Sequence, residues 1–114
     1  MLDANTLDDL DDAALDALPF GVVCLDEDNR VLRMNRTESE KSGIQRWRAV
    51  GRDFFLDVAP GPTNRALADA VAAFATGKAA PTQLHHVFHR RAGDDETEIE
   101  LRRERSHLYL VIRR

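Results

Sequence analysis

A single cysteine, Cys24, leaves no partner for an intrachain disulfide. No apolar run approaches the roughly 20 residues needed to cross a bilayer, so no membrane contact is expected. The first residues are acidic where a secretory leader is basic and then apolar. These absences point to a cytoplasmic chain. Catalytic fingerprints are missing as well: there is no Gly-x-Ser-x-Gly, P-loop, His-Glu-x-x-His or dinucleotide signature. The carboxylates sit in surface-type polar runs. The chain is therefore not expected to be an enzyme. A formal net charge of −4 argues against nucleic acid, whose phosphates need a cationic face.

What the chain does contain fits one compact domain. It has 114 residues, 43% of them hydrophobic, enough for one core. Its charge is asymmetric. Residues 1–18 carry Asp3, Asp8, Asp9, Asp11, Asp12 and Asp16 with no Lys or Arg. Residues 102–114 carry Arg102, Arg103, Arg105, Arg113 and Arg114 against Glu104 alone. The two ends can pair within one molecule or between two.

Residues 6–18 read as helix, with Thr6 as cap and Leu7, Leu10, Ala14 and Leu18 on one face. Alternatively, Asp11 caps a second short helix. Pro19 ends the segment. Residues 20–26 and 30–35 read as two strands of a hairpin around the turn Asp26–Asn29. Residues 36–58 lack a period of 2 and suggest short helices, with Phe54, Phe55 and Val58 as core anchors. Pro60-Gly61-Pro62 is a rigid loop. Thr63 or Asn64 then caps a helix that reaches Thr76 and stops at Gly77, burying Leu67, Val71 and Phe74. Three strands follow: 82–91, 96–105 and 107–113, with a turn at Ala92–Asp95 between the first two. The last strand is apolar on both faces, so it should be central and covered twice. Helices cover one side, and the N-terminal segment is the available cover for the other. Cys24 should then be a small buried hydrophobe beneath that segment. The expected fold class is α+β: a five-stranded antiparallel sheet, connecting helices on one face, and a helical cap (residues 1–19) on the other face of a core (residues 20–114).

Several segments carry a resemblance. Leu18-Pro19-Phe20-Gly21-Val22-Val23-Cys24-Leu25-Asp26 resembles the first strand of PAS domains, and Asn35 sits where that family usually closes its second strand with Asn. Val50-Gly51-Arg52-Asp53-Phe54-Phe55-Leu56-Asp57-Val58-Ala59-Pro60 is similar to the segment leading to the chromophore cysteine in the photoactive yellow protein family. The resemblance implies a PAS fold. It also implies where a covalent p-coumaroyl group would sit, and that position is Gly61, which has no thiol. Cys24 lies on the first strand and is no substitute. The residues that hold the chromophore's phenolate in that family correspond to Met34 and Glu38, a nearby hydroxyl to Ser42, and a gating arginine to Ile44. Glu38 either points to water or meets a ligand or Ser42.

The expected ligand pocket is Met34, Glu38, Ser42, Leu108 and Leu110, and the expected interaction surface is Leu7, Leu10, Tyr109 and Val111. No cofactor and no metal site are expected. His85 and His89 would be about 13 Å apart along one strand, too far to share an ion. One axial histidine suffices for the haem that some PAS domains bind, but surface positions are the simpler reading for His85, His86, His89 and His107. Two functions follow: a protein-interaction module with a filled core, engaging another signalling protein or a second copy, or a sensor holding a small molecule non-covalently. If the chain is complete, it carries no effector domain and passes its output to another protein.

Overall fold

The computed structural model describes residues 7–77 and 82–114. The five strands are β1 (Gly21–Leu25), β2 (Val31–Met34), β3 (Gln83–Arg90), β4 (Gly93–Glu104) and β5 (His107–Arg113). They form one antiparallel sheet in the order β2-β1-β5-β4-β3. The doubly apolar strand is central, as expected from its pattern. Its alternation divides two cores. Leu108, Leu110 and Ile112 join Val23, Leu25, Ile99 and Leu101 under the helices. Tyr109 and Val111 join Val22 and Cys24 under the N-terminal segment.

The N-terminal helix is broken. A 3-10 turn at Leu7–Asp9 precedes α1 (Asp12–Asp16), which Asp11 caps by accepting from Ala14 N at 2.8 Å. The expected cap residue Thr6 lies outside the described residues. The break shifts the helical phase, so Leu15 rather than Ala14 is fully buried, together with Leu7. Each such leucine contributes roughly 1.5–3 kcal/mol before ordering entropy is subtracted.

β2 departs from simple alternation. Cys24 pairs with Arg33 while Leu25 pairs with Val31, so Leu32 is the extra residue of a bulge and is exposed. The bulge lets Val31 and Met34, three apart, share the helix-side core. The β3–β4 turn is tighter than expected. Arg91 and Ala92 close it, and Asp94 and Asp95 already pair with His89 and Phe88.

Between β2 and β3 come α2 (Arg36–Ser42), α3 (Arg46–Ala49), a π-helical turn (Phe54–Val58), a 3-10 turn (Pro62–Asn64) and α4 (Arg65–Ala75). Leu67 and Val71 of α4 are buried, with Phe74 at the margin of the same core. Among the described residues no helix is long and apolar enough to cross a membrane.

One side chain joins the cap, the sheet and α2. Asn35 is fully buried and its amide is saturated. Its Oδ1 accepts from Val22 N (2.9 Å) and Glu38 N (3.1 Å), and its Nδ2 donates to Leu15 O (2.9 Å) and Phe20 O (3.0 Å). Asn35→Ala strands the N–H groups of Val22 and Glu38 and the Phe20 carbonyl, while Leu15 O keeps Leu18 N at 3.3 Å. Each stranded group costs on the order of 1–3 kcal/mol. Asn35→Asp keeps the acceptor but faces two carbonyls with a carboxylate, and is expected to unfold the protein further. Denaturant titration of both variants checks this. A loss for Asn35→Ala within about 0.5 kcal/mol, the range of an ordinary surface substitution, would refute the joint.

Candidate functional site

The helix-side interior is where the expected pocket should lie. Met34 and Leu110 are buried there, with Leu108 nearly so, packed among Phe54, Phe88, Ile99 and Leu67. Apolar side chains thus occupy that space. Ile44 packs against the same core.

Glu38 corrects the solvated reading. It is 3% exposed and held by Arg114, Nη1 to Oε1 at 2.8 Å and Nη2 to Oε2 at 3.3 Å. Arg114 also grips Asp95 through two bonds of 2.8 Å, and Arg90 reaches the same aspartate at 3.2 Å. The acid thus turns to the end of the sheet and not to a ligand. Burial pushes the Glu38 carboxyl up, against the pull of Arg114, whereas the Arg114 hydrogen bonds hold Asp95 below its usual range. Gly21 makes room for this acid, because a β-carbon there would stand 2.1 Å from Glu38 Oε1. Ser42 is not its partner: its hydroxyl accepts from Ile44 N at 3.2 Å. Met34, Leu108 and Leu110 do come together; Glu38 and Ser42 are committed elsewhere.

The loop after Ala59-Pro60 has a support that the sequence reading missed. His86, read as a surface histidine, is 6% exposed and points into the helix-side core from edge strand β3. Its Nε2 lies 2.8 Å from Asn64 Oδ1. Asn64 Nδ2 is spent on Ala59 O (3.0 Å) and Pro60 O (3.3 Å), so the histidine must donate. Asn64 therefore makes no side-chain cap for α4. The signal was available, since His86 shares parity with Leu84 and Phe88. Gly61 follows at φ 110°, and a β-carbon there would meet nothing within 4 Å. A cleft of about 390 Å³ opens beside it, lined by Phe55, Ala59, Asn64, Arg65 and Asp69 among others.

On the opposite face, Tyr109 and Val111 are fully buried under Leu7 and Leu15, with Leu10 at the margin. The expected interaction surface is thus covered in this state. Arg33, Cys24 and Tyr109 stand in register across β2, β1 and β5. Arg33 reaches Leu7 O (3.2 Å), Leu10 O (2.7 Å) and Tyr109 Oη (3.3 Å). Asp8 accepts from Tyr109 Oη at 2.5 Å, lies 2.9 Å from His107 Nδ1, and donates its backbone N–H to Glu104 Oε1 at 2.8 Å. Arg105 pairs with Asp9 at 3.2 Å. The acidic beginning and basic end therefore meet within one molecule. Cys24 is buried as expected, and burial pushes its thiol up to about 11.

Burial holds His86 below its ordinary value of 6.5, with His85 and His89 acting in the same direction. The unfolded chain then binds the proton more tightly. The stability supplied by neutral His86 is fully present above 6.5 and is lost as pH falls below that value. His86→Gln, which can still donate to Asn64, should remove this component. The difference in melting temperature between the two proteins is expected to shrink or reverse between about pH 7 and pH 5. A difference that does not vary with pH would refute the assignment.

Known proteins place this geometry. The family described as PAS fold matches residues 15–107. Photoactive yellow protein of Rhodothalassium salexigens is 39% identical over 56 residues, covering 49% of this chain and 45% of that protein. The chain thus aligns with less than half the length of that relative. Photoactive yellow protein of Rhodobacter capsulatus is 28% identical over 90 residues, 79% of this chain and 73% of that protein. Among solved structures, the photoactive yellow protein domain of the sensor histidine kinase Ppr from Rhodospirillum centenum superposes with a TM-score of 0.79. It is 28% identical and covers 96% of this chain and 97% of that one. The PAS domain of the Cronobacter turicensis quorum-sensing receptor RpfR shares the fold at 16% identity, with a TM-score of 0.67, covering 84% of this chain and 93% of that one. With the family match spanning most of the chain, and the sheet, helices and Asn35 joint in place, this protein belongs to the PAS fold family and is related to the photoactive yellow proteins.

Proposed function

We propose that this PAS sensor domain signals through protein–protein contact, without a covalent chromophore and without catalysis. The observation that carries this reading is the filled helix-side interior. Met34, Leu108 and Leu110 close the space, and Glu38 is consumed by Arg114. The one thiol, Cys24, faces the N-terminal cap on the other side of the sheet from Gly61. What remains changeable is the cap. Lifting residues 7–18 would uncover Val22, Tyr109 and Val111, an apolar strip on the two central strands. Another signalling protein or a second copy of the chain would pair with that strip.

A second reading, a small molecule held non-covalently, is favoured by the cleft beside Gly61. The RpfR neighbour was solved in complex with BDSF and with C12:0. Native mass spectrometry of the purified protein tests this reading through a retained ligand mass.

Two outcomes are expected for the main proposal. Deleting residues 1–18 should lower the melting temperature and shift the protein towards dimers in sedimentation. A truncated protein that stays monomeric with an unchanged melting temperature would exclude the cap as a cover. Activated p-coumaric acid should add no stable coumaroyl mass to the native chain. In Gly61→Cys the new thiol should be labelled, because the site is open. It should give no normal photocycle, since Met34 cannot donate to a phenolate. A coumaroyl adduct on the unaltered chain, at any residue other than a non-specific lysine, would overturn the chromophore-free reading.

A further inference from the structure

The cap contact brings together three side chains of metal-ligating type. Asp8 comes from the Leu7–Asp9 turn, Cys24 from β1 and His107 from β5. One ligand atom from each, a carboxylate oxygen, Sγ and a ring nitrogen, all lie within 4.8 Å of one another. Glu104 stands at the end of β4 and accepts from Asp8 N through Oε1 only. Among the described residues, its Oε2 and the Oδ2 of Asp8 are buried without a hydrogen-bond donor. Their side chains are among the most hidden acids here: Glu104 is 5% exposed and the Asp8 side chain 6%. Buried carboxylate oxygens are normally satisfied, and the orphaned Asp8 oxygen belongs to a side chain that stands with Cys24 and His107. Arg105 comes no nearer to Asp8 Oδ2 than 3.9 Å.

We propose that Asp8, Cys24 and His107 bind a zinc-class divalent metal ion, with water completing its four-coordinate shell. A tetrahedral ion with bonds of about 2.0–2.3 Å sets its ligands roughly 3.3–3.8 Å apart, so the 2.9 Å contact of His107 Nδ1 with Asp8 Oδ1 opens as the ion enters a set that spans no more than 4.8 Å. Thiolate, imidazole and carboxylate together select zinc or cobalt over magnesium or calcium, which prefer oxygen alone. The exchange balances simply. The Cys24 thiol gives its proton to buffer as the sulfur–metal bond forms, and His107 carries its ring proton on Nε2 while Nδ1 donates its lone pair. The half-exposed His107 ring is the edge by which an ion reaches the site. Once bound, the ion ties the cap turn to the two central strands.

The test uses the whole reduced chain titrated with cobalt(II). Binding through Cys24 gives a sulfur-to-cobalt charge-transfer band in the near ultraviolet, which zinc then abolishes. Calorimetry in two buffers of different ionisation enthalpy should show one proton released per ion. Cys24→Ser should remove the band. His107→Gln and Asp8→Asn, less invasive changes at the margin, should each weaken cobalt binding by more than about tenfold. A double variant His85→Gln and His89→Gln should leave the band intact, which excludes the exposed histidine–acid pairs on β3 and β4 as the source. No band with the unaltered chain overturns the site. A band unmoved by both His107→Gln and Asp8→Asn overturns it too.

Discussion

Asn35 is the constraint on which the rest of the structure depends. Four backbone groups from three segments, the cap, the Phe20–Val22 strand start and the first turn of α2, converge on one amide that satisfies all of them. Because the amide has two donors and two acceptors in fixed directions, it sets where α1 stops, where β1 begins and which way α2 leaves the sheet. Glu38 is carried by the same joint, since its backbone N–H caps onto Asn35 while its side chain swings past Gly21 to Arg114. Position, not local charge, commits this acid to the interior.

The two faces of the sheet are stabilised differently. The helix side is held by apolar packing, with the His86–Asn64 bond pinning its loop. The cap side has a smaller apolar patch and a dense polar rim of Asp8, Arg33, Glu104, Arg105 and His107 around Tyr109. Burying few leucines leaves a cap whose attachment depends on hydrogen-bond geometry and ionic conditions. That is the character expected of a movable cover, and it makes the cap side the one on which signalling contacts are proposed.

Much of this was legible in the sequence. The doubly apolar run Leu108–Ile112 gave its central place by pattern alone, and strict alternation in Thr97, Ile99 and Leu101 gave the buried face of β4. Side-chain partners were less accessible. Arg33 was unremarkable in a strand pattern because the bulge at Leu32, which sets its face, depends on pairing with β1. Glu38 stands in a wholly polar run, and nothing nearby announces a guanidinium 76 residues away. Asn64 sits at a helix start, but its side-chain oxygen accepts from His86 and its amide donates to Ala59 O and Pro60 O instead of capping α4. His86 itself is legible by parity with Phe88, because the face of the strand and not the residue type decides its burial.

The sheet order has a consequence for biosynthesis. β5, the middle strand, is the last of the five to be translated, and among the described residues it is the one strand that joins the β1–β2 and β3–β4 pairs. Without β5 the other strands can pair only as two separate hairpins with open inner edges. Such edges are sticky, and the pairing that closes them spans nearly the whole chain, a long-range and therefore slow step. Folding of this domain is thus tied to the completion of its final strand. A chain lacking β5 would leave the inner edges of both hairpins open to chaperones or to other chains.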